Sequence, residues 1–299
     1  MTNLERLVIS RRGLLLAGAG SLVVSACGSG DNSPGEAAAT TTTTLAEGLS
    51  LAPVFLTQQP AGVEVRLPLA LADAQGALID DSPSELAVRV GNADTGELGD
   101  PVMVERHDEG VPRAYFPLTT TFPEPGNWRI ATEVDGTPAQ IVVAALPPGQ
   151  TAAVPVVGEQ LISVPTPTVD DALGVDPICT SEPPCQLHAV SLDTAIGADK
   201  AIALLIATPA YCQTAICGPV LDLLVARQAQ YADVVTMIHA EVYPNEAAAG
   251  RTTTDVVTAY GLPWEPSLFL ALPDGTITHR LDYTFDQREL DESLSTLVQ

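Results

Sequence analysis

The segment at residues 203–220, Ala-Leu-Leu-Ile-Ala-Thr-Pro-Ala-Tyr-Cys-Gln-Thr-Ala-Ile-Cys-Gly-Pro-Val, constrains this chain more than any other. Its first residues are continuously apolar and read as a strand buried on both sides. It breaks at Thr208-Pro209 and resumes at Pro219 as a helix. Two cysteines, Cys212 and Cys217, occupy the turn between. A strand that turns straight into a helix carries its turn residues to the helix's unpaired amides and to the positive end of its dipole, where a thiol ionises more readily. Such a segment needs a sheet to bury the strand and helices to cover the sheet.

The downstream sequence supplies both. Residues 201–207 read as a strand, 219–231 as a helix, 234–242 as a strand and 252–260 as a helix ended by Gly261. Residues 267–272 read as a strand, Asp274-Gly275 as a tight turn, 276–281 as its hairpin partner and 286–298 as an amphipathic closing helix. The alternation predicts an α/β unit, a mixed sheet with helices on both faces.

The order strand, cysteine turn, helix, strand, helix, proline, hairpin, helix resembles the thioredoxin fold over residues 161–299. Two motifs carry the resemblance. Thr208-Pro209-Ala210-Tyr211-Cys212 stands where a thioredoxin has its strand end and first active cysteine. Trp264-Glu265-Pro266-Ser267-Leu268-Phe269-Leu270, followed by Pro273-Asp274-Gly275, resembles the cis-proline loop, strand and hairpin. The resemblance implies a cis Pro266 that faces the cysteines and offers backbone hydrogen bonds to a polypeptide partner. It also implies Cys212 as attacking thiol and Cys217 as resolving thiol. The chain departs from that family in placing four residues, Gln213 to Ile216, between its cysteines instead of two. Cys217-Gly218-Pro219 also resembles the first half of the thioredoxin tetrapeptide, so the reverse order of attack and a static Cys212–Cys217 disulfide both stay open.

Upstream, residues 49–146 hold short β runs broken by Gly, Pro, Asp and Asn: 63–67, 86–90, 102–104, 114–116, 128–134 and 140–143. Six or seven strands at this spacing predict an antiparallel sandwich. Pro125-Gly126-Asn127-Trp128-Arg129-Ile130 with Asp135-Gly136 resembles the late hairpin of bacterial immunoglobulin-like domains. His107, beside Asp108 and Glu109, reads as a solvated turn histidine. A Pro-rich linker at 147–160 marks the boundary between the two domains. Beyond it, Cys179 and Cys185 flank a Pro-Pro turn and predict a loop-closing structural disulfide contributing about 2 kcal/mol. A second exchanging pair that relays electrons is the functional alternative. His188, just beyond, reads as structural.

Residues 1–27 read as an address. Ser10-Arg11-Arg12-Gly13-Leu14-Leu15 resembles a twin-arginine export motif, and Val24-Ser25-Ala26-Cys27 resembles a lipobox, implying lipidation of Cys27. The Thr-rich stretch 28–48 reads as a tether, so the expectation is an envelope lipoprotein on the extracytoplasmic face of the plasma membrane. With 13 basic against 37 acidic residues, the chain lacks the electrostatic footprint of a nucleic-acid binder.

Three rival functions resemble parts of the pattern. Peroxiredoxins of the bacterioferritin-comigratory type also pair Thr-Pro with two cysteines five apart, but Thr208 lies four residues before Cys212 and Glu265 stands where an arginine would be sought. An acid there opposes a thiolate. Copper chaperones of this fold add a histidine before the Pro-Asp-Gly turn, and no histidine lies between His239 and His279. His239 reads as an ordinary strand residue and His279 as an exposed hairpin residue. A redox-inactive binding scaffold is the non-enzymatic alternative. The expectation is therefore a membrane-anchored thiol–disulfide oxidoreductase acting on protein thiols or disulfides of the envelope, with no cofactor and no metal.

Overall fold

The structure, a computed structural model, describes residues 48–298. The expected signal segment, the lipobox Cys27 and nearly all of the tether lie outside the described residues.

The chain is mostly β-sheet, and its first part is a two-sheet sandwich. Strands β1 (Ser50–Pro53), β3 (Glu64–Ala72) and β6 (Phe116–Thr121) form one antiparallel sheet. The other contains β2 (Gln58–Pro60), β8 (Thr137–Leu146), β7 (Gly126–Val134), β4 (Glu85–Asn92) and β5 (Val102–Glu105) in that order, with β2 parallel to β8 and the rest antiparallel. Leu67, Leu69, Leu71, Val88, Phe116, Leu118, Ile130 and Val143 interdigitate between the sheets. The β7–β8 turn has positive φ at both Asp135 and Gly136, the backbone that matches strand twist in a two-residue hairpin. The sandwich has eight strands rather than six or seven. The additional pair, β1 and β2, are short and end in Pro53 and Pro60, which hides them from a pattern search.

The second part is built on one sheet in the order β10-β9-β11-β12. A short helix α1 (Leu192–Ala195) precedes β9 (Ala201–Ile206), which continues into α2 (Cys217–Tyr231) and β10 (Val235–Ala240). Then follow α3 (Asp255–Tyr260), β11 (Ser267–Ala271), β12 (Ile277–Asp282) and α4 (Gln287–Ser295). β9 and β10 run parallel across the α2 crossover, while β11 is antiparallel to both β9 and β12. Every residue of β9 is buried, and its side chains divide by parity. Ala203 and Leu205 join Leu268, Leu270 and Met237 under α2 and α4. Leu204 and Ile206 join Ile238 and Phe269 under α1 and α3. Burial on both faces is why the strand is apolar without alternation. α3 and α4 are shorter than the sequence suggests, whereas α2 begins two residues earlier, at Cys217; α3 has six residues and stops at Gly261, whose φ of 60 forms the left-handed cap.

A polar seam joins the two parts. Arg66 on β3 pairs with Glu289 of α4 through both carboxylate oxygens and donates to the carbonyls of Asp282 and Thr284. The Tyr115 hydroxyl donates to Glu289 at 2.6 Å and accepts from the Asp286 amide at 2.8 Å. Asp286 caps α4 by accepting from the Glu289 amide and also meets His107 Nδ1 at 2.8 Å. His107 is thus buried, correcting the solvated reading. Its acidic partner is Asp286, distant in sequence, rather than the adjacent Asp108 or Glu109. Among the described residues, no helix is long and apolar enough to cross a membrane.

Candidate functional site

Two sulfur clusters lie beyond the end of β9, and the four cysteines among the described residues are free thiols. The first contains Cys212, Cys217 and Glu265, whose ligand atoms lie within 4.8 Å of one another. Cys212 sits on the turn after β9 and is partly exposed; Cys217 is the first residue of α2 and is fully buried. The four-residue gap closes through Ala215, which adopts a left-handed φ of 55. No side chain caps the start of α2. Instead the amides of Cys217 and Thr214 point to the Cys212 sulfur, and Thr214 Oγ1 lies 3.4 Å from it.

These contacts polarise the pair. The Cys212 thiol is pulled down to about 5, first by the hydrogen bond from Cys217, with burial opposing and Thr214 assisting. Cys217 is pushed far up by its role as donor to Cys212, then by burial and then by Glu265. The Cys217 sulfur lies 3.5 Å from Glu265 Oε2, and that oxygen accepts from the Thr208 amide at 3.0 Å. Glu265 is itself raised to about 7, by burial and then by the Cys212 charge. The peptide between Glu265 and Pro266 is cis, and Pro266 is buried beside the cluster. Glu265 therefore meets the buried thiol rather than Cys212. The expectation that an acid here merely opposes a thiolate holds only in part, because the same carboxylate can accept the proton of Cys217.

The second cluster was not legible as a unit. Cys179 and Cys185 come together as expected of neighbours across the Pro-Pro turn, and both are free thiols in the structure. The Cys185 amide donates to Cys179 Sγ at 3.2 Å. The Cys185 sulfur lies 3.3 Å from His188 Nε2 and 3.5 Å from His239 Nδ1. The two imidazole nitrogens are themselves 3.3 Å apart. His239 is on β10, as expected of a strand residue, yet its ring belongs to this cluster. His188 likewise serves more than packing. His279 is half-buried rather than exposed, and burial lowers its pKa.

Thr208 stands between the clusters. Its amide donates to Glu265, and its hydroxyl donates to Glu241 Oε2 at 2.5 Å. Glu241 also accepts from the amide of Thr180, next to Cys179, and the Thr180 hydroxyl accepts from Ala210 on the Cys212 turn. With its hydroxyl turned to Glu241, Thr208 does not serve Cys212 in the manner of a peroxidatic threonine.

No family model matches the chain, and no curated protein matches it. Among solved structures, the Lin-41 filamin domain is 18% identical over 33% of this chain and 91% of that one, with a TM-score of 0.24, a likeness too slight to bear on the fold or function.

Proposed function

We propose that residues 161–299 form a thioredoxin-like unit, that the sandwich is an immunoglobulin-like module, and that the chain is an extracytoplasmic thiol–disulfide oxidoreductase. The strand order β10-β9-β11-β12 and the parallel β9–α2–β10 crossover support the fold reading. Anchoring through Cys27 rests on the lipobox motif alone.

One observation carries the activity: the Cys217 thiol lies between the Cys212 sulfur and the Glu265 carboxylate. That arrangement gives each group a different task. The Cys212 thiolate attacks one sulfur of a partner disulfide. Its S–S bond breaks, and a mixed disulfide forms as the second partner sulfur leaves as thiolate. Glu265 accepts the Cys217 proton, and the Cys217 thiolate attacks Cys212 Sγ, releasing the first partner sulfur. The partner gains two electrons and two protons, one from Cys217 relayed through Glu265 and the other taken from solvent. The enzyme is left with a Cys212–Cys217 disulfide, and the reverse sequence oxidises a partner dithiol. The donated hydrogen bonds stabilise the reduced pair, which favours acceptance of electrons from partner thiols.

Cys217→Ser should trap partners as mixed disulfides through Cys212, visible on non-reducing gels and reversed by dithiothreitol. A trap obtained only with Cys212→Ser would reverse the two roles, and no trap with either would refute the activity.

A further inference from the structure

Two buried histidines crowd the Cys179–Cys185 pair, and His188 Nδ1 is buried with no hydrogen-bond partner. His188 and His239 are 1% and 0% exposed and Cys179 is 3% exposed. His239 Nε2 lies 3.0 Å from the carbonyl oxygen of Ala207, so that nitrogen carries the proton and donates it. Nδ1 is then a lone pair directed at His188 Nε2 and Cys185 Sγ. Four potential donor atoms from two cysteines and two histidines converge within 4.8 Å of one another.

Three edges of the cluster match a tetrahedron around a metal ion, and the Cys179 sulfur lies within 4.8 Å of the other three donor atoms. With metal–sulfur bonds of about 2.3 Å and metal–nitrogen bonds of about 2.0–2.1 Å, the edges are roughly 3.4 Å for N···N and 3.6 Å for S···N. The observed N···N separation is 3.3 Å, and the observed S···N separations are 3.3 and 3.5 Å. Supporting contacts are also in place. The Ala207 carbonyl fixes the His239 tautomer, and the Cys185 amide donates to the Cys179 sulfur.

We propose that Cys179, Cys185, His188 and His239 bind one zinc(II) ion in a closed, structural site. All four positions are filled by protein, leaving none for substrate. On binding, the two thiols lose two protons to solvent and no electrons move. The two thiolates neutralise the dication, so the buried site carries no net charge from its ligands and ion. The ion would pin the loop before β9 to β10 and, through the Thr180 hydroxyl and the Ala210 amide, support the Cys212 turn. This proposal does not rest on the redox activity proposed above.

The test uses the full chain, reduced and stripped with chelator, then titrated with zinc(II) against a chromophoric competitor. One equivalent should bind with release of two protons and protect Cys179 and Cys185 from alkylation. Cobalt(II) should give sulfur-to-metal charge transfer and the intense d–d bands of a tetrahedral centre. His188→Ala or Cys185→Ser should weaken binding at least tenfold, whereas the Cys212→Ser/Cys217→Ser double variant should retain one equivalent. Absence of zinc binding by the reduced wild-type chain would overturn the proposal. So would loss of binding in the double variant, an octahedral cobalt spectrum, or retention of copper(I) without zinc(II). A Cys179–Cys185 disulfide in freshly isolated native protein would equally overturn it. Because the cobalt spectrum is read on wild-type chain, misfolding of a variant cannot obscure the result.

Discussion

Replacing Cys217 with Ala removes the hydrogen bond that contributes most to lowering Cys212, which titrates at about 5 in place of 9.0. Burial remains, so Cys212 should move back towards 9. Its rate with a small chromogenic disulfide depends on two opposing quantities: the fraction present as thiolate and the lower nucleophilicity of a less basic thiolate. At pH 6 the thiolate fraction falls from about nine tenths to roughly a thousandth in the variant. A Brønsted slope of about 0.45 makes the variant's thiolate roughly 60-fold more reactive intrinsically. The wild type should therefore react about 15-fold faster at pH 6, about equally at pH 7, and about fivefold slower at pH 8. The two pH profiles cross. Stopped-flow rates on reduced protein, with Cys212 identified by peptide mass, measure this directly. Cys217→Ser, which keeps a hydroxyl donor, should fall between them. Parallel profiles for wild type and Cys217→Ala, or a wild-type midpoint above pH 8, would refute the assignment of Cys217 as donor.

The same cluster should shape stability against pH. Glu265, raised to about 7, holds a proton in the folded chain that the unfolded chain releases near 4.5, so its contribution falls as pH rises between these values. Cys212, lowered to about 5, does the opposite between about 5 and 9.0. Urea midpoints of the reduced wild type should stay nearly level from pH 5 to 7, rise with pH in Glu265→Gln, and fall in Cys212→Ser. Arg66→Ala should cost about 3–5 kcal/mol in urea denaturation by leaving Glu289 without its cation, and Arg66→Met combined with Glu289→Met should recover most of that loss. Asp286→Ala should cost about 2 kcal/mol through the lost cap. Asp286 is held below 3.8 by His107 and by the Glu289 and Glu109 amides, against the effect of burial. Its stabilisation is present above that value and lost as pH falls through the folded value, so the variant should lose the acid limb of the wild-type curve.

What the sequence disclosed follows from range. β9, α2, β11 and the Asp274-Gly275 turn were legible because a run of apolar residues, a Pro near a helix start and a turn dipeptide are local signals. β1 and β2 were not, because three or four residues ending in proline resemble linker. Cys212, Cys217 and Pro266 were singled out through the resemblance to thioredoxins, but the sense of Glu265 could not be read that way. Its effect depends on whether it meets the exposed sulfur or the buried one, which only the β9–β11 pairing determines. His188 and His239 are 51 residues apart and come together because the segment before α1 pairs with β10, where the His239 amide donates to the Leu187 carbonyl. His107 found Asp286 across 179 residues, which no local pattern announces.

Thr208 carries a consequence beyond its hydrogen bonds. Its amide serves the carboxylate of one sulfur cluster, and its hydroxyl serves the carboxylate that steadies the other. A Thr208→Val change keeps the shape and the amide but takes the hydroxyl from Glu241, so damage would begin at the Cys179 loop and reach the Cys212 turn through Ala210. The two clusters thus share a foundation: neither can be re-engineered in position without surveying the other, and selection acting on one constrains what the other can become.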